Sequence, residues 1–205
     1  MLFNPYKTNY FLRELKQIKK VSFKGYGVEV KPVTPKDLIY LRKSRNSVEV
    51  RSQMVDTSYI TASKQRLWYE NMIKDDSIAY WVVWQRGYQV GSMNIRVKSN
   101  NNNKHNIDVG MYVWSQKYNH GLLGTSIALV QLDLVFYYLN LSSVETSPKK
   151  HNKRAIVFNK KLGYIKINED SEYVHIRMDK NRYEQKKQLF NRYFKKCNIL
   201  EVINH

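Results

Sequence analysis

The chain has 205 residues, no Pro/Gly/Ser-rich linker and no internal repeat, which suits one domain with one sizeable core. A single cysteine, Cys197, excludes an internal disulfide framework and a metal cluster; no apolar run is long enough to span a bilayer, and Met1-Leu2-Phe3-Asn4-Pro5 lacks the pattern of a signal peptide, so a cytoplasmic protein without metal is expected. The net charge of +18 attracts polyanions such as nucleic acid, anionic membranes, coenzyme A or nucleotide sugars, although lysines spread over solvated faces give the same balance.

Phe11, Leu12, Leu15 and Ile18 recur at helical spacing among basic residues in an amino-terminal arm, residues 1–24, and predict a helix that packs on its own domain or meets a membrane surface or partner. Val28 to Val33 reads as a first strand, and Thr34-Pro35-Lys36-Asp37 opens a helix with a cap and a proline at its first position. Tyr80 to Trp84 and Gln89 to Ile95 predict an antiparallel pair turned around Arg86-Gly87, followed by an exposed loop at Asn100 to Asn103. In the next strand, Ile107 to Trp114, Gly110 interrupts the β run and predicts a bulge or a close backbone approach to a ligand.

The turn Tyr118-Asn119-His120-Gly121-Leu122-Leu123-Gly124-Thr125 then opens a helix whose residues Ile127 to Leu139 are apolar on nearly every face, which predicts burial. Free backbone N–H groups and the positive end of the helix dipole at such a turn predict a phosphate-bearing ligand. A strand over Ser142 to Thr146 ends at Ser147-Pro148. Asn152 caps a helix carrying Ala155, Phe158 or Asn159, and Leu162 at helical spacing, and Gly163 stops it. Tyr173 to Met178 reads as a late strand. The tail, residues 181–205, interleaves Tyr183, Leu189, Phe190, Tyr193 and Phe194 with Lys and Arg, which suits a helix covering the sheet, a homodimer contact or nucleic-acid binding.

The order of these motifs resembles the acyl-CoA N-acyltransferases of the GNAT superfamily, over roughly Val28 to Met178. The family's pyrophosphate-loop pattern falls on Asn119 to Gly124, with Leu122 at its first glycine position and Gly121 one residue early; the downstream pattern falls on Asn152, Ala155, Leu162, Gly163 and Tyr164. Arg45-Asn46, Arg51-Ser52-Gln53-Met54, Ile60, Gln65 and Trp68-Tyr69 resemble the branch that acetylates amino groups of nucleotide-linked sugars. The resemblance implies an α/β (α+β) domain over residues 25–180: a twisted mixed central sheet flanked by helices, with a V-shaped splay between the cofactor strand and the next.

It further implies acetyl-CoA as co-substrate and direct attack by a primary amine of a small molecule, best a nucleotide-linked amino sugar. Met111, Tyr112 and Val113 would hold the pantetheine arm, and Asn119, His120, Gly121, Leu122, Leu123, Gly124 and Thr125 the pyrophosphate, with Asn152 beside them. Glu145 and Thr146 would line the acceptor pocket, and Arg51, Gln53 and Trp68 would contact the sugar or nucleotide, Trp68 alternatively filling the core. Many members carry a tyrosine whose hydroxyl reaches the sulfur where this chain has Asn159, whose amide donates a hydrogen bond but is no acid at neutral pH. Asn159 would therefore only stabilise the thiolate while solvent protonates it, a satisfied polar side chain of the helix being the other reading. Asp108 is a candidate base, with an ordinary ion pair as the other reading, and His175 is a second candidate, with a structural role as its alternative. Acetylation of protein amino termini, and an inactive nucleic-acid-binding or scaffold protein on the same fold, are the alternative functions; sequence-specific nucleic-acid recognition is not expected.

Overall fold

The computed structural model describes residues 5–54, 56–99, 105–114, 122–194 and 200–203. Helix α1 (Pro5–Ile18) buries Phe11, Leu15 and Ile18, which its spacing places on one stripe. Strands β1 (Ser22–Gly25) and β2 (Val28–Pro32) form a hairpin. Asp37 accepts hydrogen bonds from the Thr34 N–H and hydroxyl at 2.8 and 2.7 Å, closing a short 3-10 turn, Pro35–Asp37, that leads into α2 (Leu38–Asn46). Helices α3 (Val48–Arg51) and α4 (Ala62–Lys74) follow. The expected second hairpin joins β3 (Ile78–Gln85) to β4 (Tyr88–Ser99); Arg86 and Gly87 both take positive φ, 50° and 80°, the two-residue turn whose twist matches that of the strands.

With β5 (His105–Val113), β6 (Ser143–Thr146), β7 (Ile165–Glu169), β8 (Val174–Asp179) and β9 (Glu201–Ile203), the described strands form one mixed sheet of order β7-β8-β6-β5-β4-β3-β2-β1-β9. Only β5 and β6 run parallel, and they meet at the single pair Asp108↔Glu145. The β4–β5 register is unbroken from Gly91↔Val113 to Ser99↔His105, so Gly110 marks no bulge. The glycine has another cause: a Cβ there would stand 2.9 Å from the amide nitrogen of Asn94, its cross-strand neighbour.

Helix α5 (Leu123–Asp133), extended by a π-helical turn at Leu134–Tyr138, is the hub. Ile127, Leu129, Leu132 and Leu134 are almost wholly buried, each worth about 1.5–3 kcal/mol. It shares the larger core with α1, with α6 (Lys153–Leu162) and with α7 (Lys180–Asn191), through Phe11, Leu162, Tyr183 and Val109 among others. A smaller core on the opposite sheet face joins α2 and α4 to β3 through Leu41, Met72, Ile78 and Val82. The buried carboxylate of Asp133, on α5, accepts from the hydroxyls of Tyr26 and Tyr183 (2.5 Å for Tyr183) and from Lys187 Nζ at 2.8 and 3.0 Å. One carboxylate thus ties α7, by an ion pair and a tyrosine hydroxyl, and the first hairpin, by a tyrosine hydroxyl, to the hub. No helix among the described residues is long and apolar enough to cross a membrane.

Candidate functional site

Alternation along the strands sorts the side chains near the β5–β6 junction onto two faces. Ile107, Val109, Val144, Val174 and Ile176 enter the larger core, so Asp108, Glu145, His175 and Arg177 project from the opposite face. Arg96, Asp108, Glu145 and Arg177 are successive register partners across β4, β5, β6 and β8, two neighbouring carboxylates flanked by two arginines at the vertex of the splay. Beyond that vertex, among the described residues, β5 has no strand partner on its β6 side.

Which backbone groups face the gap follows from hydrogen-bond alternation. Trp114 N–H donates to Val90 O at 2.9 Å, towards β4. In an antiparallel pair the neighbours alternate, so the backbone groups of Gly110 and Tyr112 also turn to β4 while those of Met111 and Val113 turn into the splay. Met111 and Val113 therefore offer N–H and C=O groups to an extended ligand strand. The Tyr112 side chain lies on the face of the smaller core beside Tyr80 and Ser92, where burial first, and then the neighbouring Tyr80, push its phenol up.

A cleft of about 690 Å³ adjoins this edge, lined by Met111, Tyr112, Val113, Gly124, Thr125, Asn152, Lys153, Arg154, Ala155, Phe158 and Lys161, with Glu49, Val50, Gln53 and Met54 across from them. A second, of about 660 Å³, shares Glu49, Val50, Gln53, Val113, Asn152, Lys153 and Arg154 with it and extends past Ser47, Ser52, Trp114 and His151. The two form one groove. Helix α5 enters it with no side-chain cap on Leu122, leaving the N–H groups of its first turn without intrahelical acceptors. Helix α6 also begins in it; the Asn152 side chain accepts from Ala155 N–H at 3.0 Å. Two helix N-termini and three cationic side chains, Lys153, Arg154 and Lys161, converge on the same space. Phosphate groups are favoured there by dipole and by charge.

Of the residues predicted from sequence, Met111, Tyr112, Val113, Gly124, Thr125, Asn152 and Gln53 line the groove. Leu122 and Leu123 form the start of α5, Leu123 turned into the core; Asn119, His120 and Gly121 lie outside the described residues, as does the loop at Asn100 to Asn103. Asn159 is half-buried on α6, where Ala155, Phe158 and Lys161 make the groove wall instead. Trp68 packs edge-on against Tyr80 with ring centroids 5.0 Å apart, and Arg51 ends α3 outside the groove lining. Glu145 occupies the vertex and Thr146 ends β6. His175 hydrogen-bonds Ser147 Oγ through Nδ1 and Asp170 through Nε2, both at 2.9 Å. Sequence reasoning missed Glu49, Val50, Lys153, Arg154 and Lys161; the run Lys153-Arg154 just inside a capped helix start was the one local signal for them. No cluster of His, Cys, Asp or Glu among the described residues is arranged to hold a metal ion.

A family model described as an acetyltransferase (GNAT) domain matches residues 28–165. Among solved structures, FdhC, described as a nucleotide-linked sugar GNAT, superposes with a TM-score of 0.70 at 17% identity, covering 84% of this chain and 98% of its own. Spermidine N-acetyltransferase from Vibrio cholerae, in complex with CoA and spermine, gives 0.66 at 16% identity, with 77% and 98% covered. The aminoglycoside acetyltransferase AAC(6')-Ib with coenzyme A and kanamycin gives 0.66 at 15%, with 80% and 98% covered. At these identities the likeness is one of fold. No curated protein matches by sequence.

Proposed function

The chain belongs to the GNAT acetyltransferase family, and from that premise we propose that it transfers the acetyl group of acetyl-CoA to a primary amine of a small molecule, a nucleotide-linked amino sugar, by direct attack in a ternary complex. The observation that carries this reading is the convergence of the unpaired edge of β5 with the N-termini of α5 and α6 on one groove. Backbone groups of Met111 and Val113 suit an extended amide-bearing arm, and the first turn of α5 with Lys153, Arg154 and Lys161 suits its phosphates. The N–H groups at the splay would also polarise the thioester carbonyl as charge develops on its oxygen.

The groove's extension past Ser52, Gln53 and His151 is polar and shares Lys153 and Arg154 with the cofactor cleft. That charge suits a phosphorylated acceptor, and the likeness to a nucleotide-linked sugar enzyme supports the same class. Holding amine and carbonyl together supplies a large part of the rate. Asn159, on the second turn of α6, would stabilise the departing thiolate by a hydrogen bond, with solvent supplying its proton.

The test is thiol release from acetyl-CoA with a panel of amines: a nucleoside-diphosphate amino sugar, spermidine, kanamycin and peptides with free amino termini. Release with the amino sugar is the expected result. Release with peptides alone would move the reading to protein amino-terminal acetylation, and binding of acetyl-CoA without transfer to any amine would make the protein a binder.

A further inference from the structure

Ser147 is 28 residues from His175 and is brought to it by the pairing of β6 with β8, while Asp170 meets the same ring from the turn between β7 and β8. After Thr146↔Ile176 the two chains stay zipped: Val174 N–H donates to Pro148 O at 3.0 Å and Lys150 N–H to Glu172 O at 2.8 Å. Ser147 and His175 are thereby held as cross-strand neighbours, their side chains 2.9 Å apart. The other ring nitrogen meets Asp170 Oδ2 at 2.9 Å, while Asp170 Oδ1 accepts the N–H groups of Glu172 and Tyr173 at 2.8 and 2.7 Å. Those two backbone N–H groups, Tyr173 first, and then the imidazole hold the Asp170 carboxyl down to about 2. An ionised carboxylate only accepts. In the neutral ring the proton must therefore sit on Nε2, which leaves Nδ1 to accept the Ser147 hydroxyl proton.

The position of this chain of groups is what gives it a task. Ser147 lies two residues past Glu145, hence on the same sheet face, at the mouth of the splay where β6 has left β5. Helices α2 and α4 cover β3 on that face, and the β6–β8 strip beside the opening carries half-buried His175 and exposed Arg177. The loop that follows Ser147 reaches the groove, where His151 Nε2 meets Ser52 O at 3.2 Å. Asp108, by contrast, sits at the closed vertex between Arg96 and Glu145.

Resting on the acetyltransferase reading, the geometry points to Ser147 and His175 as the relay that takes the proton of the attacking amine, with Asp170 as the positioning residue that fixes the ring. As the N–C bond forms and the C–S bond breaks with its electron pair passing to sulfur, the amine proton moves to Ser147 Oγ and the serine's own proton moves to His175 Nδ1; solvent protonates the thiolate and later takes the proton from the ring. Acyl transfer to the serine itself is disfavoured, because the next residue is Pro148 and has no N–H to offer an oxyanion.

The experiment measures steady-state kinetics with acetyl-CoA and whichever amine of the panel above the parent protein acetylates. Positioned general bases contribute about 10²- to 10⁴-fold, so Ser147→Ala and His175→Ala are each expected to lower kcat about 100-fold or more, with acetyl-CoA affinity by calorimetry unchanged. Ser147→Thr is expected to keep most of the rate, and added imidazole to restore part of it to His175→Ala, which a packing role would not allow. Nitrogen NMR of the ring is expected to find the Nε2–H tautomer in the parent and a mixture in Asp170→Asn. Parent-like kcat in both alanine variants, or no response to imidazole, would overturn the relay alone. If the parent itself acetylates none of the amines, the transferase reading fails and the relay falls with it.

Discussion

Gly124, the second residue of α5, has the Phe158 ring of α6 3.6 Å from where a Cβ would lie. A methyl fits that space, whereas the branched side chain of Gly124→Val would meet the ring and stand over N–H groups that a phosphate must approach. Acetyl-CoA affinity by calorimetry is expected to be near parental in Gly124→Ala and about tenfold weaker, ~1.4 kcal/mol, in Gly124→Val. Unchanged affinity in a folded valine variant would remove the phosphate from this helix start. Asn159→Ala tests a single hydrogen bond, worth about 0.5–1.5 kcal/mol, so turnover should fall less than about tenfold with cofactor affinity intact. At this scale Gly124 and Asn152, which line the groove, were legible in the sequence, because a glycine before an apolar helix and a capping asparagine are local signals. The triad of Ser147, His175 and Asp170 was not, since only the β6–β8 ladder brings a residue after one strand against a residue in another.

Helix α6 does two jobs with one side chain. Asn152 caps it and lines the groove, so stability and binding are separable by substitution. Asn152→Ala loses the cap and is expected to cost about 1 kcal/mol in urea unfolding. Asn152→Asp keeps an acceptor for the Ala155 N–H and should hold parental stability, but it adds a negative charge where phosphate is expected and should weaken acetyl-CoA. Equal loss of stability in both variants would show that the cap geometry needs the amide itself. The elements were legible wherever start and stop residues framed a periodic run: Asn152 to Gly163 for α6, the Arg86-Gly87 turn between β3 and β4, and the apolar stretch of α5. The bulge expected at Gly110 failed for an instructive reason. A glycine within a strand reports a close approach of some kind, and here the approaching group is the Asn94 side chain, which no reading of β5 by itself contains.

At the scale of the whole molecule, basic charge serves two different ends. Some of it is structural: Lys187 pairs with Asp133, whose side chain is only 3% exposed, and so fastens α7 to the hub. Asp133→Asn leaves that lysine without its counter-ion and is expected to cost about 3 kcal/mol or more in denaturant unfolding, with a smaller loss in the Asp133→Asn, Lys187→Met double variant because the stranded charge is gone. Some of it lines the groove. Much of the rest is spread over separate exposed faces, as with Arg13 on α1, Lys43 on α2, Lys64 and Arg66 on α4, Lys160 on α6 and Arg182 on α7. A nucleic-acid track needs cations aligned along one path with several aromatic faces between them, yet of the tail aromatics Tyr183 is buried in the core, Phe194 is 8% exposed and Phe190 is half-buried, which leaves Tyr193, beside Arg192, as the exposed face. Attraction to DNA should therefore be a property of net charge alone. Binding to random duplexes is expected to be weak at physiological salt and to fall steeply as salt rises, as counter-ion release dictates. A tight complex that survives competition from unrelated sequence would instead mean that the basic surface is organised, and would favour a nucleic-acid-binding role for this fold over the transfer of acetyl groups.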